Sequence, residues 1–253
     1  MATLTPLYSG SKCNATYIGG AAGGILIDAG GSAKQLTNAL QQAGVDPRRV
    51  GAVFLTHEHT DHIAALRVFC RAHGTPVFGT AGTLRALAER IDLTNIHTEV
   101  VPSDGIATCG MLVRSHAISH DCAEPCAYTC EAEDGEKFAV ATDLGYIDDD
   151  LQDALLGCDN VMLESNHEPR LVQLCDRPYA IKRRILSDSG HLSNAACAEF
   201  LPKLLQRGTA RFWLAHLSRD NNTPDLALGC ATAAFDAVGA RAGMDYELEV
   251  CPS

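Results

Sequence analysis

The feature that most limits how this chain folds is the run THEHTDH at residues 56–62, which directly follows a short apolar segment. It places four candidate metal ligands within six residues. Where the chain leaves a strand, His57 and His59 project to the same side, because side chains alternate with a period of two. Asp61 and His62 open the helix that is predicted to follow and present a second pair nearby. Two such pairs of nitrogen and oxygen donors suit two divalent ions that lie side by side.

Three further candidate ligands each come directly after a segment that is predicted to be a strand. They are His120, Asp143 and His216. Strand ends are where a sheet presents a shared site, so we expect these side chains to complete the same centre. Asp143 suits a bridging role because a carboxylate has two oxygens. A histidine-rich donor set favours zinc, while the carboxylates also admit manganese or iron.

Apolar strands and amphipathic helices alternate through the rest of the chain, with turn residues between them. Strands are predicted at 17–18, 24–28, 53–55, 161–163, 212–214 and 246–250, with several more between 111 and 141. A glycine-rich hairpin turn is predicted at 19–24, and helices at 32–44, 66–74, 84–91, 193–206 and from 223 onwards. Strands that pair locally through turns argue against a doubly wound Rossmann fold. The sequence therefore predicts one α/β (α+β) domain over residues 1–253, with sheets inside and helices outside.

Composition and net charge indicate where the protein is expected to be located and which ligands it is expected to bind. Hydrophobic residues make up 46% of the chain and charged residues 20%, as in ordinary globular domains. Neither a signal peptide nor an apolar run of membrane-spanning length is evident, so we expect a cytoplasmic location without a membrane partner. The net charge of −11 disfavours polyanionic ligands unless a local basic patch is present. The compact run at 182–184 is such a patch, although solvated helix faces commonly carry similar charges.

The eleven cysteines are high in number for a chain without an export signal. Cys122, Cys126 and Cys130 are spaced by four residues, whereas metal-binding cysteines commonly have two residues between them. We therefore interpret the cysteines as reduced thiols that act as small apolar residues.

Seven more motifs follow one another along the chain: SGS at 9–11, LIDAG at 26–30, HD at 120–121, TDLG at 142–145, ESNH at 164–167, GHLSN at 190–194 and HLSRDNN at 216–222. Together with THEHTDH they resemble the metallo-β-lactamase superfamily, and within it the YycJ-type branch of 5′→3′ exonucleases. The resemblance spans almost the whole chain. It implies a four-layer αβ/βα sandwich.

The resemblance also implies the roles of the candidate ligands. The first of two divalent ions would be bound by His57, His59, His120 and Asp143, and the second by Asp61, His62, His216 and Asp143. A hydroxide that bridges the ions would attack phosphorus, because bound metal lowers the pKa of water. The protein would then be a dinuclear metal-dependent phosphodiesterase.

The GHLSN motif, which precedes a predicted helix, additionally resembles ribonuclease Z. In that family the histidine after the glycine assists at the scissile phosphate, so we expect His191 to be catalytic together with Asp61. His191 would donate a proton to the leaving oxygen or hydrogen-bond the phosphoryl group. The alternative is a structural residue at the start of the helix that Ser193 or Asn194 caps.

Substrate contacts are expected from polar and basic residues in the motifs and in the basic run. The candidates are Ser9, Ser11, Asn14, Asn166, His167, Arg183, Arg184 and Asn222. The favoured substrate is DNA. An alternative on the same scaffold is a small ester, thioester, lactone or cyclic phosphodiester, because fold does not determine function. A third hypothesis is a metal-stabilised scaffold without catalysis, against which the complete ligand set argues.

Overall fold

The computed structural model describes residues 2–20 and 23–252, which fall into two compact units. The first unit comprises the chain up to Ala117 together with Cys122–Glu136 and Pro252, and the second comprises Ile118–Asp121 and Lys137–Cys251. The single domain expected over residues 1–253 stays a prediction. The middle of the predicted hairpin turn, residues 21 and 22, lies outside the described residues.

A mixed sheet of six strands organises the first unit, in the order β1 to β6. The strands are β1 (Thr3–Tyr8), β2 (Ala15–Gly20), β3 (Gly23–Ile27), β4 (Val50–Phe54), β5 (Val77–Gly79) and β6 (Thr98–Val100). Strands β1, β2 and β3 are antiparallel, as the predicted hairpin requires, and β3 to β6 are parallel. Because β3 and β4 run in the same direction, Asp28 and Thr56 follow their carboxyl ends at one edge of the sheet.

The helices of the first unit are α1 (Ala33–Gln42), α2 (Thr60–Ile63), α3 (Leu66–His73) and α4 (Ala81–Arg90), with a 3₁₀ turn at Pro47–Arg49. The start of α1 and the end of α3 are as the sequence predicts, whereas α4 begins three residues before the predicted 84–91. Ser32 and Gln35 form a capping box at the start of α1. Gly74 ends α3 with a left-handed backbone, which glycine adopts at low cost. The buried Leu36 and Leu40 of α1 join the hydrophobic core of this unit.

Three antiparallel strands complete the first unit: β7 (Ile106–Thr108), β8 (Met111–Ala117) and β9 (Cys126–Ala132). Cys126, Tyr128 and Cys130 alternate along β9 and point into the interior, where the Tyr128 hydroxyl donates a 2.7 Å hydrogen bond to the Leu55 carbonyl. The two thiols therefore occupy packing positions. No disulfide joins any of the eleven cysteines, all of which lie within the described ranges.

The second unit is built on four parallel strands in the order β10 to β13. They are β10 (Lys137–Ala141), β11 (Asn160–Glu164), β12 (Arg211–Ala215) and β13 (Glu247–Val250). The helices are α5 (Asp149–Leu155), α6 (Pro169–Leu174), α7 (Tyr179–Ile185), α8 (Asn194–Gln206) and α9 (Pro224–Ala237). Ser193 and Thr223 cap α8 and α9, as their positions in the sequence predict.

The pairing of the parallel strands in the second unit brings its candidate site residues together. Ala141 of β10 pairs with Leu163 of β11, and Glu164 pairs with Ala215 of β12. Asp143, Glu164 and His216 therefore gather at the carboxyl edge of this sheet, where polar side chains commonly form sites in α/β folds. In the part of the chain that the structure describes, no helix is long and apolar enough to cross a membrane.

Candidate metal centre

Three residues within two positions of a strand end have a left-handed backbone although none is glycine. Asp28, Asp143 and His216 have φ angles of 64°, 58° and 54°. Such conformations are uncommon for residues with a side chain and cost free energy. Their occurrence at strand ends among buried polar groups marks both edges as candidate sites.

In the first unit, the Asp28 carboxylate contacts two residues of the THEHTDH run, Thr56 and His62. Its Oδ1 accepts a 2.9 Å hydrogen bond from the Thr56 amide, and its Oδ2 accepts a 2.8 Å bond from the Thr56 hydroxyl. The same Oδ2 lies 2.7 Å from Nδ1 of His62. A carboxylate at Nδ1 orients the imidazole and directs Nε2 towards a metal, as the supporting partners of histidine ligands commonly do.

His57, His59 and His62 form a close group of imidazoles in the first unit. Nε2 of His57 lies 3.0 Å from Nδ1 of His59, and the ring centroids of His57 and His62 are 4.0 Å apart. His57 and His62 are buried. Imidazoles packed so closely repel one another when protonated, whereas neutral imidazoles are good ligands for zinc and similar ions. The donor set of this cluster therefore fits a divalent transition metal.

Asn14 and Asp61 adjoin this imidazole group. The Asn14 amide donates a 3.1 Å hydrogen bond to Oδ2 of Asp61, and its nitrogen lies 2.9 Å from Nε2 of His62. Asn14 is itself held by two hydrogen bonds with the backbone of Gly10. The structure therefore places Asn14, predicted as a substrate contact, in a buried position that supports two candidate ligands. Of the other predicted contacts in this loop, Ser9 is buried and Ser11 is exposed.

In the second unit, Asp143, Glu164, His191 and His216 each offer one ligand atom, and these atoms all lie within 4.8 Å of one another. Oε1 of Glu164 lies 2.8 Å from Nδ1 of His216 and 2.9 Å from Nδ1 of His191. Oδ1 of Asp143 is 3.4 Å from Nδ1 of His216. One buried carboxylate oxygen thus holds two imidazoles, one expected to bind metal and one expected to act in catalysis.

Glu164, the first residue of the ESNH motif that the family resemblance places near the site, organises this cluster. Its Oε2 accepts backbone hydrogen bonds from Leu144 and Leu192, at 2.9 and 3.2 Å. Burial alone raises the pKa of Glu164, but the charges of His191 and His216 and their hydrogen bonds outweigh this and lower the pKa to about 2. The carboxylate is therefore charged. It lies at the end of β11, next to the strands that carry Asp143 and His216.

His120 belongs to the same unit and faces the same group. Its Nδ1 lies 3.1 Å from the Gly190 carbonyl, and its Nε2 lies 3.9 Å from Oδ1 of Asp143. Burial lowers the pKa of His120, which favours the neutral imidazole that metals bind. The cluster of the second unit therefore also has a donor set that fits a divalent ion.

The remaining predicted contacts from motifs of the second unit lie in its interior. The Asn166 amide donates a 2.7 Å bond to the His216 carbonyl, and the Asn222 amide donates to the carbonyls of Ser165 and Asn166. His167 is buried with a pKa lowered by burial to about 4, and its Nδ1 has no hydrogen bond among the described residues. These placements join the motif loops to one another around His216.

The two predicted arginine contacts differ in their surroundings. Arg184 forms an ion pair with Asp121, and this hydrogen-bonded carboxylate raises the pKa of the guanidinium. Arg183 is exposed on α7. The basic run therefore presents Arg183 to solvent, while the charge of Arg184 is matched by Asp121.

Comparison with known proteins decides the family. A sequence model of the beta-lactamase superfamily domain matches residues 24–217. The chain belongs to the metallo-β-lactamase superfamily. Across 244 residues it is 34% identical to a Bacillus anthracis protein named exodeoxyribonuclease YycJ, with 96% of this chain and 92% of that protein covered.

Solved structures show the same fold. The metallo-β-lactamase fold protein YhfI of Bacillus subtilis matches with a TM-score of 0.74 and 16% identity, over 99% of this chain and 96% of its own. The short form of human tRNase Z matches with a TM-score of 0.63 and 17% identity, over 87% of this chain and 93% of its own. The predicted fold class and family are thereby confirmed. As a member of this superfamily, the protein is a metal-dependent hydrolase.

Proposed function

We propose that the protein is a metal-dependent DNA exonuclease that degrades DNA in the 5′→3′ direction. The observation that carries the proposal is the pairing of both His191 and His216 with a single oxygen of Glu164, at 2.9 and 2.8 Å. It holds a candidate proton donor beside a candidate metal ligand, and both groups can assist phosphodiester cleavage. The 34% identity to a protein named exodeoxyribonuclease, extending over 96% of this chain, supports DNA as the substrate.

Two divalent ions are proposed as cofactors, with zinc favoured and manganese or iron as alternatives. The proposed ligands of the first ion are His57, His59, His120 and Asp143, and those of the second are Asp61, His62, His216 and Asp143. Bound ions of this kind make hydroxide available at neutral pH and stabilise negative charge on a phosphoryl group.

His191 is proposed to protonate the leaving oxygen. Its Nδ1 lies 2.9 Å from Oε1 of Glu164, and this contact orients the ring so that Nε2, the other ring nitrogen, can face the substrate. The backbone on both sides of His191 is also fixed, since the Leu192 amide donates to Glu164. Glu164 therefore acts as a positioning residue, and His191 is the group expected to touch the substrate.

Asp61 is proposed to act both as a ligand and in catalysis. The hydrogen bond from Asn14 holds one of its oxygens in place, so that the carboxylate is oriented before substrate arrives. Asn14 would then influence the reaction through Asp61 and His62. Ser9, Ser11, Asn166, His167, Arg183, Arg184 and Asn222 remain proposed substrate contacts.

Hydrolysis of a small ester, thioester, lactone or cyclic phosphodiester is the second candidate function. The net charge of −11 favours it, because an acidic protein repels a polyanion over most of its surface. A scaffold without catalysis is the third, and it predicts no hydrolysis of any substrate.

Digestion of DNA labelled at the 5′ or the 3′ end separates these functions. We expect digestion of single-stranded or duplex DNA that begins at the 5′ end, and loss of all digestion when the metal is chelated. Nitrocefin and a thioester panel are assayed in parallel. Strong activity on the small esters with none on DNA would reverse the proposal, and inertness on every substrate would favour the scaffold.

The variant Asp61→Ala tests whether the hydrolysis belongs to this site. We expect loss of DNA digestion with the fold retained, as judged by circular dichroism, because Asp61 lies at the surface of its cluster and is only half-buried. Asp104→Ala, which removes an exposed carboxylate of the same unit, is the matched control. Full activity of Asp61→Ala would exclude the proposed role.

A further inference from the structure

Helices α6 and α7 form a surface of the second unit from which the proposed function uses only Arg183 and Arg184. No residue of α7 is buried. Tyr179, at its start, is 78% exposed, and Leu174, at the end of α6, is 71% exposed. Large apolar side chains that cluster on a surface commonly mark a binding site. We call the surface of residues 169–187 the α6–α7 face.

The charge of the α6–α7 face is opposite to that of the whole chain. Residues 169–187 contain five basic residues and one acidic residue, whereas the chain has 20 basic and 31 acidic residues. This positive segment in an acidic protein points to an anionic ligand, since charge complementarity guides where such a ligand binds.

The cations of this face are not equally available. Arg177 pairs with Asp220 and Arg184 pairs with Asp121, so their charges are matched within the unit. Lys182 donates a 2.8 Å hydrogen bond to the Gln173 carbonyl, which ties α7 to α6 and leaves its charge unmatched by a carboxylate. Arg183 is exposed, and the structure records no ion pair for it among the described residues. Of the four cations between residues 177 and 184, Lys182 and Arg183 are therefore the two that can meet an anion.

A cavity of about 470 Å³ lies between these cations and the aromatic ring. It is lined by Gln173, Tyr179, Lys182, Arg183, Leu186 and Ser187. Its volume is in the range of pockets that hold small ligands. An aromatic ring beside two cations suits a ligand that has a flat ring and a neighbouring phosphate, which is the chemistry of a nucleotide.

The end of the α6–α7 face contacts the loop that carries His191. The His191 amide donates a 3.2 Å hydrogen bond to the carbonyl of Ile185, the last residue of α7. Gly190 packs so closely against this turn that an added Cβ would lie 2.2 Å from the Arg184 carbonyl oxygen. The end of α7 is therefore next to the proposed proton donor.

We infer that the α6–α7 face binds single-stranded DNA, with Tyr179 stacked on a nucleobase and with Lys182 and Arg183 on the adjacent phosphates. Stacking on an exposed ring requires an unpaired base, because the bases of a duplex already stack on one another. The phosphate contacts supply affinity that does not depend on sequence. The inference rests on the proposed nuclease function and adds the strand form of its substrate.

Binding of a fluorescent single-stranded phosphorothioate oligonucleotide, which resists cleavage, tests the inference on the metal-loaded full-length chain. We expect Tyr179→Ala to weaken binding about tenfold and Tyr179→Phe to retain it, because the ring and not the hydroxyl stacks. Arg183→Ala is expected to lower the slope of log affinity against log salt by about 0.7. Met244→Ala and Arg85→Ala remove an exposed apolar side chain and an exposed cation elsewhere, and should change nothing.

Hydrolysis of bis(p-nitrophenyl) phosphate, a phosphodiester without a nucleobase, separates this inference from the proposed function. We expect Tyr179→Ala to hydrolyse this small phosphodiester at the wild-type rate while its KM for single-stranded DNA rises. Unchanged oligonucleotide binding in both Tyr179→Ala and Arg183→Ala would overturn the inference. So would a change of oligomeric state in Tyr179→Ala, which would make the face a protein interface. A wild type that hydrolyses neither DNA nor the small phosphodiester would instead overturn the proposed function.

Discussion

Asp28, which is not among the predicted site residues, supports two residues of the THEHTDH run. It is buried, has a left-handed backbone, and holds both Thr56 and His62 through its carboxylate. The sequence contains it in a motif but offers no sign of its partners, which lie 28 and 34 residues away. Parallel pairing of β3 with β4 brings these residues together. A supporting carboxylate of this kind is visible only once strand order is known.

Asp28→Asn is expected to weaken metal binding by the first cluster by about 10–100-fold, because the amide has one acceptor oxygen, whereas both oxygens of the Asp28 carboxylate are engaged. The free energy of unfolding should fall by about 1–3 kcal/mol, since a buried donor loses its partner. Competition with a chromophoric chelator measures the first effect and urea unfolding the second. Asp104→Asn, an exposed substitution in the same unit, is the control. Equal metal affinity in Asp28→Asn and the wild type would refute the role.

At the scale of secondary structure, the start of α8 joins three motif loops. The Ser193 hydroxyl accepts a 3.2 Å hydrogen bond from the Ala196 amide, and the Asn194 amide donates to the His167 carbonyl. The Asn194 side chain bonds Ser165 and Asn222. The motif GHLSN thus combines a helix cap with a candidate catalytic histidine. The structural and the functional interpretations of the motif apply to different residues within it.

Ser193→Ala is expected to lower the free energy of unfolding by about 1 kcal/mol, because the Ala196 amide at the helix start loses its acceptor. Ser193→Thr keeps an acceptor oxygen and is expected to lose less. Urea unfolding followed by circular dichroism measures both. Since His191 lies two residues before the cap, DNA digestion is measured on the same samples. An unchanged unfolding midpoint in Ser193→Ala would contradict the assignment of the cap.

At the scale of the whole molecule, bound metal is expected to contribute to stability as well as to chemistry. Each unit has buried imidazoles and carboxylates close together, an arrangement that is costly unless a cation or a proton compensates it. A ligand that binds only the folded protein stabilises it in proportion to its concentration over its dissociation constant.

Removal of metal by chelation is expected to lower the Tm by several degrees, and added zinc or manganese should restore it. Calorimetry on chelated and reloaded samples measures the shift. Asp61→Ala, which lacks one proposed ligand, should show a smaller shift between its two samples. An identical Tm with and without metal would show that the folded protein does not depend on the ions.

Local patterns in the sequence predicted many of the elements and most of the candidate ligands, although α5, α6 and α7 were not among them. Ser32, Ser193 and Thr223 mark helix starts because a capping side chain bonds an amide only two or three residues away. Asp143 and His216 were found because polar residues directly after apolar strands are visible in one stretch of chain. The family followed from ordered motifs, and comparison with known proteins confirmed it.

Only the tertiary structure showed which residues support those ligands. It also showed that the α6–α7 face contacts the loop of His191. Glu164, Asp28 and Asn14 act through partners brought near by strand pairing and loop packing, whose energies depend on contacts between distant residues. Likewise, Arg183 and Arg184 are neighbours in the sequence, yet Asp121 pairs with one of them. Local propensity acts over a few residues, whereas these roles depend on which strands and loops become neighbours when the chain folds.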